Sequence, residues 1–252
     1  MKTCSVQAVC ATLLIGALAI QVFPAEASTT PCGPNPPSGS TVNGSIAVPA
    51  GSLCELDHVT VLGSVIVDGY LSANDSNING TVTLNTGATF LSSKDTIGGI
   101  ISNHAKHIRL LGDTVRGVAN FTGSSGDPDP HLASLFCATT FNNSVTLQQI
   151  GADTTYNIGG ARCEGTIAGL LNVQNNAGVV SISTGKVSGS VNVRNNTGTG
   201  GPGGTSAVVN GVTISGSLNC SGNVGGVDTF RNVVSGAKTG QCAQEHHTLP
   251  GH

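Results

Sequence analysis

The sequence predicts an all-β chain wound as a single-stranded, right-handed parallel β-helix of roughly nine to ten coils. Three observations carry this expectation. A glycine-centred motif, [VI]-x-G-[ST]-[VIL]-x-[VLC], recurs at 42–48, 61–67 and 78–84, again at 187–193 and 214–220, and more loosely at 167–173. Apolar residues alternate around each glycine, as Val59, Val61, Val65 and Val67 do around Gly63, which is the period of two that strands require. Helical periodicity is weak, and 36 glycines are too many for long helices. Variable coil length argues against a left-handed hexapeptide helix, whose repeat is strict. The structural alternative is an antiparallel β-sandwich.

Residues 1–27 read as a secretory signal. Lys2 supplies a basic start, residues 11–20 an apolar stretch, and Ala25-Glu26-Ala27 a cleavage site that leaves Ser28 as the mature terminus. The apolar stretch is shorter than the about 20 residues a membrane span needs. No lipoprotein box precedes Cys10, so no membrane attachment is expected once the signal is removed, and the chain is placed in the extracellular or cell-surface compartment. Residues 28–40, with Pro31, Pro34, Pro36 and Pro37, form a Pro-rich N-terminal segment tied down by Cys32.

The repeat domain is expected over 41–242. Its densest part is 41–121, where Gly44, Gly63, Gly80, Gly99 and Gly117 follow one another at a nearly constant interval, a spacing suited to coils of three short strands. Residues 122–136 break the pattern as an excursion loop. Coils then lengthen. The run at 171–176 matches that at 191–196, and both resemble 218–220, so Asn172, Asn192 and Asn219 align, as do Asn175 with Asn195 and Asn176 with Asn196. Asparagines in register hydrogen-bond along a stack, and asparagine tolerates the left-handed conformation of sharp corners. Residues 197–206, with five glycines, are a second excursion, and 243–252 a flexible tail.

Without the signal, six cysteines remain, and an even number in an exported chain favours disulfides. Taken in sequence order as consecutive pairs, the partners are each separated by close to one repeat. Residues one coil apart stack at about 4.8 Å, inside the range a disulfide spans. Of fifteen connectivities, the expected one is Cys32–Cys54, Cys137–Cys163 and Cys220–Cys242. No C-x2-C pair points to a metal cluster.

Charged residues make up 9% of the chain against a typical value of about 25%. The surface is therefore built of Asn, Ser, Thr and Gly. Formal charge is −3, and the 10 basic residues are not clustered, which leaves no nucleic-acid footprint. The absence of Trp and the presence of only Tyr70 and Tyr156 make aromatic stacking platforms scarce.

Leu218-Asn219-Cys220-Ser221-Gly222-Asn223, then Asn232-Val233-Val234-Ser235-Gly236, then Gly240-Gln241-Cys242 resemble the closing L-x-C-x-G-N…N-x-V-x-G…G-Q-C signature of secreted, uncharacterised actinobacterial repeat proteins. The likeness is best over 160–242. The prolines often found after Gly-Asn are replaced here by Val224-Gly225-Gly226. The resemblance implies export and a disulfide-closed solenoid end, and no established activity.

The most polar run holds His104, Lys106, His107, Arg109, Asp113 and Arg116. Projecting together from one face, His104, Lys106, Arg109, Asp113 and Arg116 would form a site that binds or cleaves an acidic polysaccharide, provided Lys106, Arg109 and Asp113 converge in one groove; this is the alternative to a non-catalytic role. The bland alternative is an ordinary solvated strand and turn. Asp127-Pro128-Asp129-Pro130-His131 reads as turn chemistry before metal chelation. His246, His247 and His252 lie on the tail. Gly198–Gly203 satisfies G-x-G-x-x-G formally, but no helix follows it. No H-E-x-x-H or G-x-S-x-G is present, so no catalytic residue, metal or cofactor is assigned. The reading is a secreted or cell-surface β-solenoid with a structural, adhesive or envelope-interaction role. Its expected partners are a polysaccharide or another surface protein, the latter including one that docks on an uncapped solenoid end.

Overall fold

The structure, a computed structural model, describes residues 28–124, 134–152, 154–160 and 163–245. The signal segment, Asp127 to His131 and the tail histidines lie outside the described residues. Among the described residues, twenty-six short strands form one continuous parallel sheet that winds as a β-solenoid. The sandwich alternative is excluded because the pairings among these residues are parallel and join one coil to the next. Strands Ala119–Thr122 and Ser134–Cys137 bracket the first expected excursion, so its described ends belong to the sheet.

Each coil contributes to three faces. Face A stacks Ser45–Val48 on Val65–Val67 and continues through Val145–Gln148, Leu171–Gln174 and Val191–Arg194 to Lys238–Gly240. Face B runs from Leu53–Asp57 through Tyr70–Asn74, Thr89–Ser93 and His107–Leu111 to Val227–Phe230. Face C is narrower, with two-residue strands such as Thr41–Val42, Thr60–Val61 and Thr114–Val115. Its outward row repeats Thr41, Thr60, Thr96, Thr114, Thr140 and Thr166 in register, interrupted by Asn77. β-Branched residues suit such a pleated, half-exposed surface.

Register gives the coil lengths. Ile46, Val65, Val82, Ile100 and Ala119 stack one above another in short, nearly equal steps. Val145, Leu171, Val191, Leu218 and Lys238 continue the column in longer and less even ones. The coils lengthen where the repeats weaken in sequence. There the interior also takes larger side chains: Phe121, Phe136, Phe141 and Tyr156 are buried together, with ring centroids of Phe121 and Phe136 4.7 Å apart. Elsewhere the inward columns are mostly Val, Ile and Leu, with Phe90 and several alanines among them, almost all fully buried.

The motif glycines stack at the corner between faces C and A. The main-chain N–H of Gly63 donates to Gly44 O (2.8 Å) and that of Gly80 to Gly63 O (2.9 Å). A Cβ on Gly63 would run into the Gly44 carbonyl and the Ser45 hydroxyl. The next member is Gly98 rather than Gly99, because the register shifts between Ile97 and Gly99. Gly63→Ala is expected to lower stability by about 2 kcal/mol, since overpacking forces the backbone itself to move. Urea unfolding of the two proteins measures the difference, and an unchanged midpoint would show that the stack tolerates a methyl there.

Two further corners are turned by single left-handed residues. Between faces B and C these include His58, Asp75, Lys94 and Ala138, and between faces A and B they include His104, Gln149, Asn175 and Asn195, with φ of 48° to 58°. The residue after each corner points inward and in most coils is polar. On the A/B corner Asn176, Asn196 and Asn223 form a buried ladder, and on the B/C corner Ser76, Asp95, Asp113 and Thr139 take the same place. Most of these side chains bond main-chain groups of the neighbouring coil, as buried backbone donors and acceptors require.

The disulfides are Cys32–Cys54, Cys137–Cys163 and Cys220–Cys242, with Cα atoms 5.7, 4.5 and 5.4 Å apart. This is the expected pairing, reached by a different geometry. Cys54 stacks on Leu71 and Cys220 on Gly240, so neither stacks on its own partner. The first and last bridges instead tie buried sulfurs across the two ends of the solenoid. Thr29–Pro31 pairs with Ser45–Ala47, and the Pro-rich segment is fastened to the first coil by Asn35–Glu55 and Ser38–Asp57 hydrogen bonds. Among the described residues no helix is long and apolar enough to cross a membrane.

Candidate functional site

The polar run occupies one coil and is spread around it. His104 sits exposed at the left-handed A/B corner (φ 58°), followed by exposed Lys106. His107 opens the strand on face B and is nearly buried, at 8% exposure. Arg109 projects from face B between Leu91 below and Leu135 above. Arg116 follows Val115 at the opposite corner, between faces C and A.

Asp113 corrects the expectation. It is 1% exposed and faces the interior. Its Oδ1 accepts from the Asp95 main-chain N–H at 2.7 Å and its Oδ2 from that of Leu111 at 2.8 Å. Burial pushes its carboxyl above the ordinary range. A carboxylate holding two coils together inside the solenoid cannot also face a ligand. Lys106, Arg109 and Asp113 therefore do not converge in one groove, and His104, Lys106, Arg109 and Arg116 form no single pocket. Gly198 to Gly203 leads into a short 3-10 turn at Pro202–Gly204, where no nucleotide-binding helix begins.

Face B does gather functional groups, from residues that are far apart in sequence. Side chains two apart share a face, so Leu53, Tyr70 and Thr89 form one outward column and Glu55, Ser72 and Leu91 the next. Where these columns meet the A/B corner they line an open groove of about 550 Å³, bounded by Gly51, Asp68 and Gly87. A smaller depression of about 200 Å³ shares Ser72 and continues across the face towards Arg109. Sequence reading missed the groove because no two of its charged or aromatic members are neighbours in one strand. The detectable signal was the coil step, which places Leu53, Tyr70 and Thr89 one above another.

Two carboxylates line the groove. Asn35 Nδ2 donates to Glu55 Oε2 (3.1 Å), and Asn85 Nδ2 donates to Asp68 Oδ1 (2.8 Å). Among the described residues no lysine, arginine or histidine belongs to the lining.

Fold and surface together define a disulfide-braced parallel β-solenoid with a negatively charged groove on one face. No protein-family model, curated protein or solved structure matches the chain.

Proposed function

We propose that the chain is an exported or cell-surface β-solenoid that acts as a structural, adhesive or envelope-interacting body and performs no catalysis. One observation carries the reading: the interior is filled from end to end by stacked apolar columns and polar ladders, and each end is tied by a buried disulfide. Such a rod suits persistence outside cells, since three disulfides belong to an oxidising compartment. The signal-like residues 1–27 and the resemblance of 218–242 to secreted repeat proteins support export. The dispersal of His104, Lys106, Arg109 and Arg116, with Asp113 turned inward, removes the main argument for a polysaccharide-cleaving site.

Expression of the full chain in an export-competent bacterium tests the first half. Protein recovered from medium or cell surface should begin at Ser28, and retention of the uncleaved chain in the cytoplasm would overturn export. Incubation with uronic-acid and neutral polysaccharides tests the second half, following unsaturated products and reducing ends. No release is expected. Cleavage abolished by Lys106→Ala or Arg109→Ala would make the protein an enzyme.

A further inference from the structure

We propose that the groove on face B binds a glycan lacking acidic groups, with Tyr70 packing against a sugar ring and Glu55 and Asp68 accepting its hydroxyl or amino protons. The groove volume, about 550 Å³, lies within the range of small-ligand sites. Its open form suits a chain lying along the surface more than an enclosed small molecule. The lining comes from three successive coils through Leu53, Tyr70 and Thr89, so the groove runs along the solenoid axis at about 4.8 Å per coil.

The chemistry of the walls selects the ligand. Leu53 is 51% exposed and stands next to the half-exposed Tyr70, which together give an apolar patch with a hydroxyl at its edge. An aromatic ring of this kind packs on the C–H face of a pyranose. Glu55 and Asp68 each receive an amide proton on one oxygen from Asn35 and Asn85. A carboxylate offers two oxygens and about four lone-pair sites, so each keeps acceptor capacity. Ser72 and Thr89 add hydroxyls that both donate and accept. Acceptors outnumber donors, and the partner must therefore bring donors.

Two alternatives are disfavoured on the same grounds. A uronate or phosphate would meet two carboxylates with no cation in the lining, a like-charge cost that specific sites avoid. An extended peptide binds sheets by adding to an open edge. The floor here is mid-sheet, where Tyr70–Asn74 is already paired on both sides, to Leu53–Asp57 and to Thr89–Ser93. The proposal stands on face B alone, so its failure would leave the scaffold reading intact.

The two tyrosines provide the test, because Tyr156 is fully buried and only Tyr70 lines the groove. Full-length protein labelled with 3-fluorotyrosine should give two 19F resonances, and Tyr70→Phe assigns them. Titration with hexasaccharides of glucose, mannose and xylose, with glucosamine hexamer and with oligogalacturonate is the measurement. At least one neutral or amino-bearing series should move the Tyr70 resonance and leave Tyr156 in place. Tyr70→Ala should weaken that binding by about tenfold or more and Asp68→Asn by several-fold, with unfolding midpoints unchanged. Arg194→Ala, on face A, should bind as the parent does. Overturning results are a Tyr70 resonance that stays fixed up to about 10 mM of every neutral and amino sugar, binding of the uronate alone, or binding that survives Tyr70→Ala.

Discussion

Replacing Asn196 by leucine is expected to lower folding stability by about 4 kcal/mol, the largest effect of any single side chain on the corner ladders. Asn196 is fully buried and connects three coils. Its Oδ1 accepts both the main-chain N–H (3.1 Å) and Nδ2 (2.9 Å) of Asn176. Its Nδ2 donates to Val173 O (3.2 Å) and to Asn223 Oδ1 (2.8 Å). Leucine fills nearly the same volume and breaks all four bonds. It leaves the Asn176 main-chain N–H without its acceptor and takes one bond each from the Asn176 amide, the Asn223 amide and the Val173 carbonyl, in a region that water does not reach. The two amides keep Leu147 O and the residue 196 main-chain N–H as partners. Each buried group so deprived costs about 1–3 kcal/mol, and partial relaxation brings the sum down.

The outer face of the same coil supplies the comparison. Asn192 belongs to a second ladder, in which its Nδ2 donates to Asn172 Oδ1 (2.9 Å) and its Oδ1 accepts from Asn219 Nδ2 (3.0 Å). These groups are half-exposed, so water can replace the lost bonds, and Asn192→Ala is expected to cost less than about 1 kcal/mol. Denaturant unfolding of both variants, with the disulfides kept oxidised, measures the contrast. Equal losses would mean that the buried ladder carries no special share of the stability. Hydrogen exchange adds position: the Asn176 amide should lose protection in Asn196→Leu and keep it in Asn192→Ala.

The inner and outer ladders also show what sequence made legible. Alignment of the 171–176 and 191–196 runs places Asn172 over Asn192, Asn175 over Asn195 and Asn176 over Asn196, and all three columns exist. The inner ladder continues to Asn223 and Gln241, with Asn223 Nδ2 donating to Gln241 Oε1 at 2.8 Å. That continuation was hidden because the next two coil steps differ in length from each other and from the step before them, and the final side chain is one methylene longer. Asp113 failed as a surface residue for a related reason. Aspartate is almost always exposed, and composition around 104–116 reinforced that prior. What decides its direction is its place directly after a left-handed corner, where Ser76, Asp95 and Thr139 also turn inward. Corner residues there are as varied as His58, Asp75, Lys94 and Gly112, so no residue type announces the position. The groove on face B shares this difficulty. It is a product of register, which the uneven loops between strands conceal in the sequence.

Aspartates in the place that asparagine holds on the other corner give the solenoid an expected pH dependence opposite to ordinary acid denaturation. Asp95 is 1% exposed, and burial, against the opposing bonds from Ser92 and Ser76 and with the neighbouring Asp113 charge adding to it, pushes its carboxyl from 3.8 up to about 6. Asp113 is raised in the same direction, also by burial. Between about pH 4 and pH 6 the folded chain holds a proton at Asp95 that the unfolded chain has released. Stability therefore rises as pH falls through about 6 and stops rising below about 4, and the displacement corresponds to about 3 kcal/mol. Asp57 acts in the other sense, since hydrogen bonds from Ser38, Asn74 and His58 hold its exposed carboxyl down, but its effect falls at lower pH. Urea unfolding at a series of pH values from about 4 to about 7 should show the gain. Asp95→Ser should flatten the profile, because serine already serves at the equivalent Ser76, whose hydroxyl accepts from Val59 N–H (3.0 Å) and donates to Leu56 O (3.2 Å). At about pH 7 the same variant should be at least as stable as the parent, since it relieves an ionised carboxylate enclosed by two coils. A parent profile that is flat across this window, or a slope undiminished in Asp95→Ser beyond the smaller part that Asp113 supplies, would show that Asp95 is not the titrating group.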